Sequence, residues 1–205
     1  MAAPRKVTRE DIVAAAADVL RSGGFRAVNA RSVARRLGCS TQPIYLCFRN
    51  MDELRAALTE FAAAEHIRRV RELLRERSGR DTRYSSYGLG FVRFAAQEPQ
   101  LFRWLYLEDG QAGSRADDVL LPEILDTIEE EYGYGRETAQ ALHRDMTYYS
   151  YGLAILANTG NLGLDDGALR EAFRREFAAL AAVHGAPPRR PQTRRRARRR
   201  RVCVW

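Results

Sequence analysis

The sequence predicts an all-α protein, and three observations carry that prediction. Apolar residues recur at helical spacing through most of the chain. Capping residues and glycines bracket these segments in the order that starts and stops helices. No alternating strand pattern and no internal repeat of solenoid length stands out.

The first helix spans Thr8 to Ser22. Thr8 is its cap, and Asp11 stands in the capping-box position three residues on. Ile12, Ala15, Ala16, Val19 and Leu20 form its inner stripe, and Gly23-Gly24 ends it. Phe25 and Val28 are expected to plug the core beneath. Asn29 caps a second helix over 30–37, with Val33, Ala34 and Leu37 inside; Ala34 is small where two helices cross closely. Gly38 makes the turn, and Ser40 is expected to cap a third helix over about 41–47. Pro43 falls in its first turn, where the missing N–H would be unpaired anyway. Ile44 and Phe48 face inward, which leaves Thr41, Gln42, Tyr45 and Leu46 outside. Two short helices around a glycine turn, the second with a polar and aromatic outer face, form a helix-turn-helix.

Charge agrees with that reading. Residues 1–50 hold nine Lys/Arg and three acids, a balance of +6. Residues 185–205 hold nine Arg and no acid, a balance of +9. The middle, 51–184, carries 16 basic and 23 acidic residues, a balance of −7. A basic head suits phosphate and an acidic body does not. On the outer face of the third helix, Gln42 has the groups to pair with the N6/N7 edge of adenine, and Thr41 suits a base edge or a thymine methyl. Tyr45 suits a phosphate and sugar edge. The expected DNA contacts are Arg5, Lys6, Arg9, Asn29, Arg31, Ser40, Thr41, Gln42, Pro43, Tyr45, Leu46 and Arg49. The arginines and the lysine set affinity and its salt dependence, with Arg35 added on the second helix.

Here the chain resembles the TetR (tetracycline-repressor-like) family of bacterial transcription regulators. The matching stretch is about 8–58: Ile12 and Ala15, Gly24-Phe25, Val33-Ala34, Leu37-Gly38, Ser40, Tyr45, Phe48 and Leu54. Two positions depart from the family pattern. Asn29 stands where Thr is frequent, and both cap helices. Met51 replaces a usual Lys at the start of the fourth helix, which passes a phosphate contact to Arg49. The resemblance implies a helix-turn-helix DNA-binding head joined by a long helix to a helical ligand-binding and dimerisation body. It further implies a homodimer that represses transcription from a double-stranded DNA operator and releases it when a small effector binds.

The remaining elements follow from the same signals. Asn50-Met-Asp-Glu53 is a cap with acids in the first turn. The long helix then runs to about Arg77, with Leu54, Leu58, Phe61, Ile67, Val70 and Leu74 along it. Residues 78–81 read as a loop, 83–97 as a helix, and Pro99 opens a short helix to about Tyr106. A loop over 108–116 precedes helices over 117–132 and 136–158, and Asp165 or Asp166 starts the last helix, which ends near His184-Gly185. Gly88 and Gly90 inside a helix each cost about 1 kcal/mol relative to Ala, which points to a close neighbour or a ligand there. Aromatic residues concentrate nearby, and a mostly apolar cavity with a few Tyr hydroxyls suits a flat or hydrophobic effector. The expected lining is Tyr87, Phe91, Phe94, Phe102, Tyr106, Tyr148 and Tyr151. In the family the last two helices make a four-helix interface between subunits. Leu142, Met146 and Leu153, with Leu169, Phe173, Phe177 and Leu180, are its expected residues.

Other functions find less support. His66, His143 and His184 have no metal-ligand spacing, and no P-loop, nucleophile elbow or dinucleotide glycine pattern occurs. No enzyme, metal or cofactor is therefore expected. No run of about 18 apolar residues and no apolar leader is present, and the odd cysteines 39, 47 and 203 build no disulfide framework, so the cytoplasm is expected. Cys39 and Cys47 read as small apolar filler, with redox sensing as the alternative. The domain limits read as 1–50, 51–184 and an Arg-rich tail over 185–205, expected to be disordered in isolation. The tail supplies the competing function, non-sequence-specific binding of nucleic acid.

Overall fold

The computed structural model describes residues 7–76, 82–108 and 113–185, without the side chains of 113–115. Nine α-helices occur among the described residues, with no strand. The loop expected over 78–81, the tail beyond 185, and Arg5 and Lys6 lie outside or almost wholly outside the described residues.

The head is built as its caps dictate. Helix α1 is Arg9–Gly23, closed by the full Thr8/Asp11 capping box. A single 3-10 turn, Phe25–Ala27, leads to α2, Ala30–Leu37, where the Asn29 side chain accepts from the Ser32 N–H. Gly38 has φ +70°, the left-handed conformation that lets the chain turn sharply into α3, Gln42–Cys47. Thr41, rather than Ser40, holds the cap position of α3, and its side chain makes no capping bond. Pro43 in the first turn lowers the number of N–H groups that need one. Ile44 and Phe48 are buried with Ile12, Leu20 and Val33 in the head's core.

Phe25 departs from expectation. It is 41% exposed and leans on Trp104 of the body, with ring centroids 5.2 Å apart. It helps to join head and body instead of filling the head.

Helix α4, Met51–Glu76, starts on Asn50, whose side chain accepts from the Glu53 N–H at 2.9 Å. Its buried line Leu54, Leu58, Ala62, His66 and Val70 keeps four-residue spacing. Helices α5, Arg83–Gln97, and α6, Pro99–Arg103, follow, and α6 passes into a π-helical turn over Trp104–Glu108. Then come α7, Gly113–Tyr132, α8, Arg136–Asn158, and α9, Asp166–Val183, the last capped by the Asp165 side chain. Part of the loop expected over 108–116 is thus the first turn of α7.

Helix α5 is the body's centre. Nearly every side of it is buried, as a helix surrounded by others requires, and it packs on α4, α6, α7, α8 and α9. Its first backbone N–H groups, at Arg83 and Tyr84, meet the Glu131 carboxylate at 2.7 and 3.1 Å, a negative charge at the positive end of the helix. At its far end the Asn158 amide donates to the Ala95 and Pro99 carbonyls, which pins α8 over the α5–α6 bend.

Head and body meet along α1, α4 and α6. Glu98, at the α5–α6 bend, accepts from Arg21 of α1 at 2.8 Å and from Arg69 of α4 at 2.6 Å. No helix among the described residues is long and apolar enough to cross a membrane.

Candidate nucleic-acid interface and ligand cavity

The helix-turn-helix presents α3 outward. Gln42 is exposed, Tyr45 is 53% and Leu46 78% exposed, and Thr41 and Pro43 are half-buried beside them. Ser40 is exposed at the start of this surface, and Arg31 and Arg35 are exposed on α2. Large apolar or aromatic side chains left in water on a short helix suit a base-lined groove.

The flanking charges are not equivalent. Arg9 donates to the Cys47 carbonyl at 2.8 Å and to Glu53 at 3.0 Å, and its guanidinium lies 4.0 Å over the Phe48 ring. It ties α1 to the end of α3 and to α4. Arg49 stays 91% exposed, with one long contact of 3.4 Å to Glu53. The Glu53 carboxyl is held below its ordinary range, chiefly by the Arg49 backbone N–H and then by Arg9. Asn29 spends its side-chain oxygen on capping α2. Cys39 and Cys47 are half-buried free thiols.

The body encloses a cavity of about 600 Å³ between α4, α5, α7, α8 and α9, the size of a drug-like ligand. Of the residues expected to line it, Tyr87, Phe91, Tyr148 and Tyr151 do so. Phe94, Phe102 and Tyr106 stand behind the wall: Phe94 and Phe102 are wholly buried, and Phe91 packs on both Phe102 and Tyr106. Sequence periodicity identified these rings as interior, and only packing shows which of them border a void.

The cavity's polar groups are ones that the sequence left unassigned. His66 sits on the wall, stacked on Phe94 at 4.8 Å, with its Nδ1 2.8 Å from the Tyr106 hydroxyl. Burial pushes its imidazole down to about 4, so the ring is neutral. His143, 3.2 Å from the Tyr84 hydroxyl, is likewise lowered to about 4 by burial. Tyr84 and Tyr106 are pushed up by burial, and Tyr151 is raised to about 12, by burial first and by Asp117 second. Asp117 and Asp118 of α7 border the same space. Asp117 is exposed at the edge of this space, yet the protein around its carboxyl raises it to about 6. The neighbouring Asp118 adds to the rise and the Tyr106 hydroxyl opposes it. His66 had one legible signal: it falls at a core position of the α4 stripe, where an imidazole needs a polar partner. Asp117 had none.

Both helix glycines are close approaches. A Cβ on Gly90 would lie 2.9 Å from Val70 Cγ2 and 3.4 Å from the Val70 backbone, at the α4–α5 crossing. A Cβ on Gly88 would meet only the Phe173 ring, at 2.8 Å, a side chain that borders the cavity and not a neighbouring backbone. Overpacking costs about 1–3 kcal/mol and the Ala helix preference returns about 1 kcal/mol. Gly90→Ala is therefore expected to unfold at lower urea than Gly88→Ala, by about 1 kcal/mol in stability. Equal midpoints would mean that α4 and α5 part freely.

The α8–α9 surface differs from the expected interface stripe. Leu142, Met146, Leu153, Leu169 and Phe173 are closed inside the protomer's own core, and Phe177 and Leu180 are half-buried. Tyr148, Ile155 and Leu156 on α8 and Val183 on α9 remain exposed.

A basic helix-turn-helix carried on an all-helical body is the architecture of a DNA-binding regulator. Residues 12–58 match the family model for bacterial regulatory proteins of the tetR family, and the fold as a whole is similar to solved regulators of that kind. A TetR-like transcriptional regulator from Rhodococcus sp. RHA1 aligns with 90% of this chain and 100% of its own, at TM-score 0.63 and 16% identity. A putative transcriptional regulator from Pseudomonas aeruginosa PAO1 aligns over 86% and 91%, at TM-score 0.65 and 16% identity. TetR from Acinetobacter baumannii AYE, solved with minocycline, aligns over 88% and 100%, at TM-score 0.57 and 18% identity. No curated protein matches the sequence significantly.

Proposed function

We propose that this protein is a ligand-responsive transcriptional repressor. It binds palindromic operator DNA as a homodimer through Thr41, Gln42, Pro43, Tyr45 and Leu46, and a small effector in the body cavity releases it. The observation that carries this reading is the position of α4. One helix starts directly behind α3, is gripped there by Arg9 through Glu53, and farther along supplies His66 and Val70 to the cavity wall. A ligand that shifts α4 therefore shifts the head, provided that it binds the two positions of α4 unequally. The minocycline complex of the Acinetobacter protein and the resorcinol complex of a further structural neighbour support a ligand role for such a cavity.

The uncharged outer face of α3 divides the work. Arg31, Arg35 and Arg49 supply phosphate affinity, and Gln42 and Thr41 choose the site. For the dimer, the exposed Tyr148, Ile155 and Leu156, joined by the half-buried Phe177 and Leu180, form the contact face. Two-fold symmetry then sets paired α3 helices on a palindrome.

Fluorescence anisotropy with palindromic DNA from the gene's own upstream region tests the reading. Gln42→Ala is expected to lose about 1–3 kcal/mol of site discrimination, with non-specific affinity retained. Tyr45→Phe is expected to weaken binding to all sequences more evenly. Unchanged selectivity in both variants would remove α3 from the groove. If deletion of 187–205 abolished all binding while these variants changed nothing, the tail would be the nucleic-acid site.

A further inference from the structure

We propose that the body cavity takes a protonated aromatic amine, its ammonium group against Asp117 and Asp118 and its ring beside Tyr87, Phe91 and Tyr151. This inference rests on the cavity being the effector site, and it names the chemistry of that effector.

His66 Nδ1 lies 2.8 Å from the Tyr106 hydroxyl, which leaves Nε2 as the ring's other polar atom. That atom is buried without a partner in the protein, and His66 is only 2% exposed on the cavity wall. A ligand with a hydrogen-bonding group there completes it, and a hydrocarbon leaves it unsatisfied.

Charge then selects the ligand. Asp118 stands next to Asp117 on α7 and disfavours its ionisation. Among the described residues no Lys or Arg pairs with Asp117. Three arginines also border the cavity, Arg144 on α8 and Arg170 and Arg174 on α9; Arg144 lies 3.7 Å from Asp145, and Arg174 pairs with Glu171. A cation at the α7 wall relieves the repulsion, and an anion adds to it. The aromatic faces of Phe91 and Tyr151 near this end add the attraction of a π cloud for an ammonium group.

Three compounds with one indole ring and different charge test this: tryptamine, the neutral alcohol tryptophol, and indole acetate. Titration calorimetry on the full chain is expected to rank tryptamine about tenfold or more above the other two. Asp117→Asn is expected to erase most of that preference while tryptophol affinity stays within about twofold, and the Asp117→Asn/Asp118→Asn pair to erase it fully. Circular dichroism shows whether the variants remain folded, and the tryptophol signal controls for loss of the cavity itself. Equal affinity for tryptamine and tryptophol, or a preference for indole acetate, overturns the amine inference. In those outcomes the cavity still binds small molecules, and its role as an effector site survives. Binding of none of the three, in a folded protein, overturns both.

Discussion

Trp104→Ala is expected to lower the stability of the chain by about 3–5 kcal/mol, the range for truncating a fully buried large aromatic. The indole is 2% exposed in the π-helical turn after α6. Its Nε1–H donates to the Thr59 hydroxyl of α4 at 3.0 Å, and the Phe25 ring of the head rests on it. Truncation opens a cavity at the point where α1, α4 and α6 meet. It also strands a buried hydroxyl and removes the seat of Phe25. Two controls separate these effects. Trp104→Phe keeps most of the packing and loses the N–H bond, and Thr59→Val leaves the indole N–H without an acceptor. Each is expected to cost about 1–3 kcal/mol. Urea unfolding followed by circular dichroism gives the comparison, since the mutated Trp is itself the obvious fluorophore. If Trp104→Ala costs less than Thr59→Val, the site collapses without a void and the packing argument fails.

Glu98→Ala is expected to be the second most damaging change, and the more informative about function. Its carboxylate, 11% exposed, draws together Arg21 at 2.8 and 3.2 Å and Arg69 at 2.6 Å. Removing one partner of a buried pair costs about 3–5 kcal/mol because the other charge is left behind. Arg21 and Arg69 are each about one-third exposed, so solvent screens part of that loss, and about 2–3 kcal/mol is expected here. Arg69 also keeps Glu65 and Gln97, which softens the loss on the α4 side. The hydrogen bond to Glu98 is the chief reason the Arg21 guanidinium is held above its ordinary range. A guanidinium keeps its proton without such a partner, so the charge stays when the carboxylate goes. The loss should be local. Hydrogen exchange is expected to rise in α1 and at the α5–α6 bend while α8 and α9 keep their protection. Uniform loss of protection would show that head and body unfold as one unit, and that Glu98 joins nothing in particular.

These two residues lie on the same seam, which α4 continues into the cavity. The seam was invisible in sequence for a physical reason. Arg21, Arg69 and Glu98 lie far apart in the chain, on α1, on α4 and at the α5–α6 bend, and nothing in local spacing says that they converge. Phe25 shows the same limit from the apolar side. Its position after the α1 glycines predicts burial, but the surface that covers it belongs to Trp104, far along the chain.

The cavity was half legible. Tyr87, Phe91 and Tyr151 lie at helical spacing among aromatic neighbours, which marks them as interior. The same signal marks Phe94, Phe102 and Tyr106, which fill the core behind. The difference between wall and filler is a matter of where five helices fail to touch, and no single helix carries that information. Gly88 and Gly90 did give a correct local sign. Each costs helix stability, and each proves to be a place where a neighbouring side chain stands too close for a Cβ.

The sequence by itself determined the head. Caps at Thr8 and Asn29, the left-handed turn at Gly38, Pro43 in the first turn of α3 and the inward Ile44 and Phe48 are all short-range consequences of residue type, and they suffice to expose Gln42, Tyr45 and Leu46. It also determined where most body helices begin and end, because capping and helical periodicity act within a few residues. Tertiary structure alone decided what those helices do together. It set His66 against the Tyr106 hydroxyl beside a void that Asp117 also borders, folded Arg9 onto Phe48, and enclosed Leu142, Met146 and Leu153 within one protomer. Those outcomes depend on contacts between residues far apart in the chain, whose energies are comparable to the local ones but whose partners are fixed only when the helices pack.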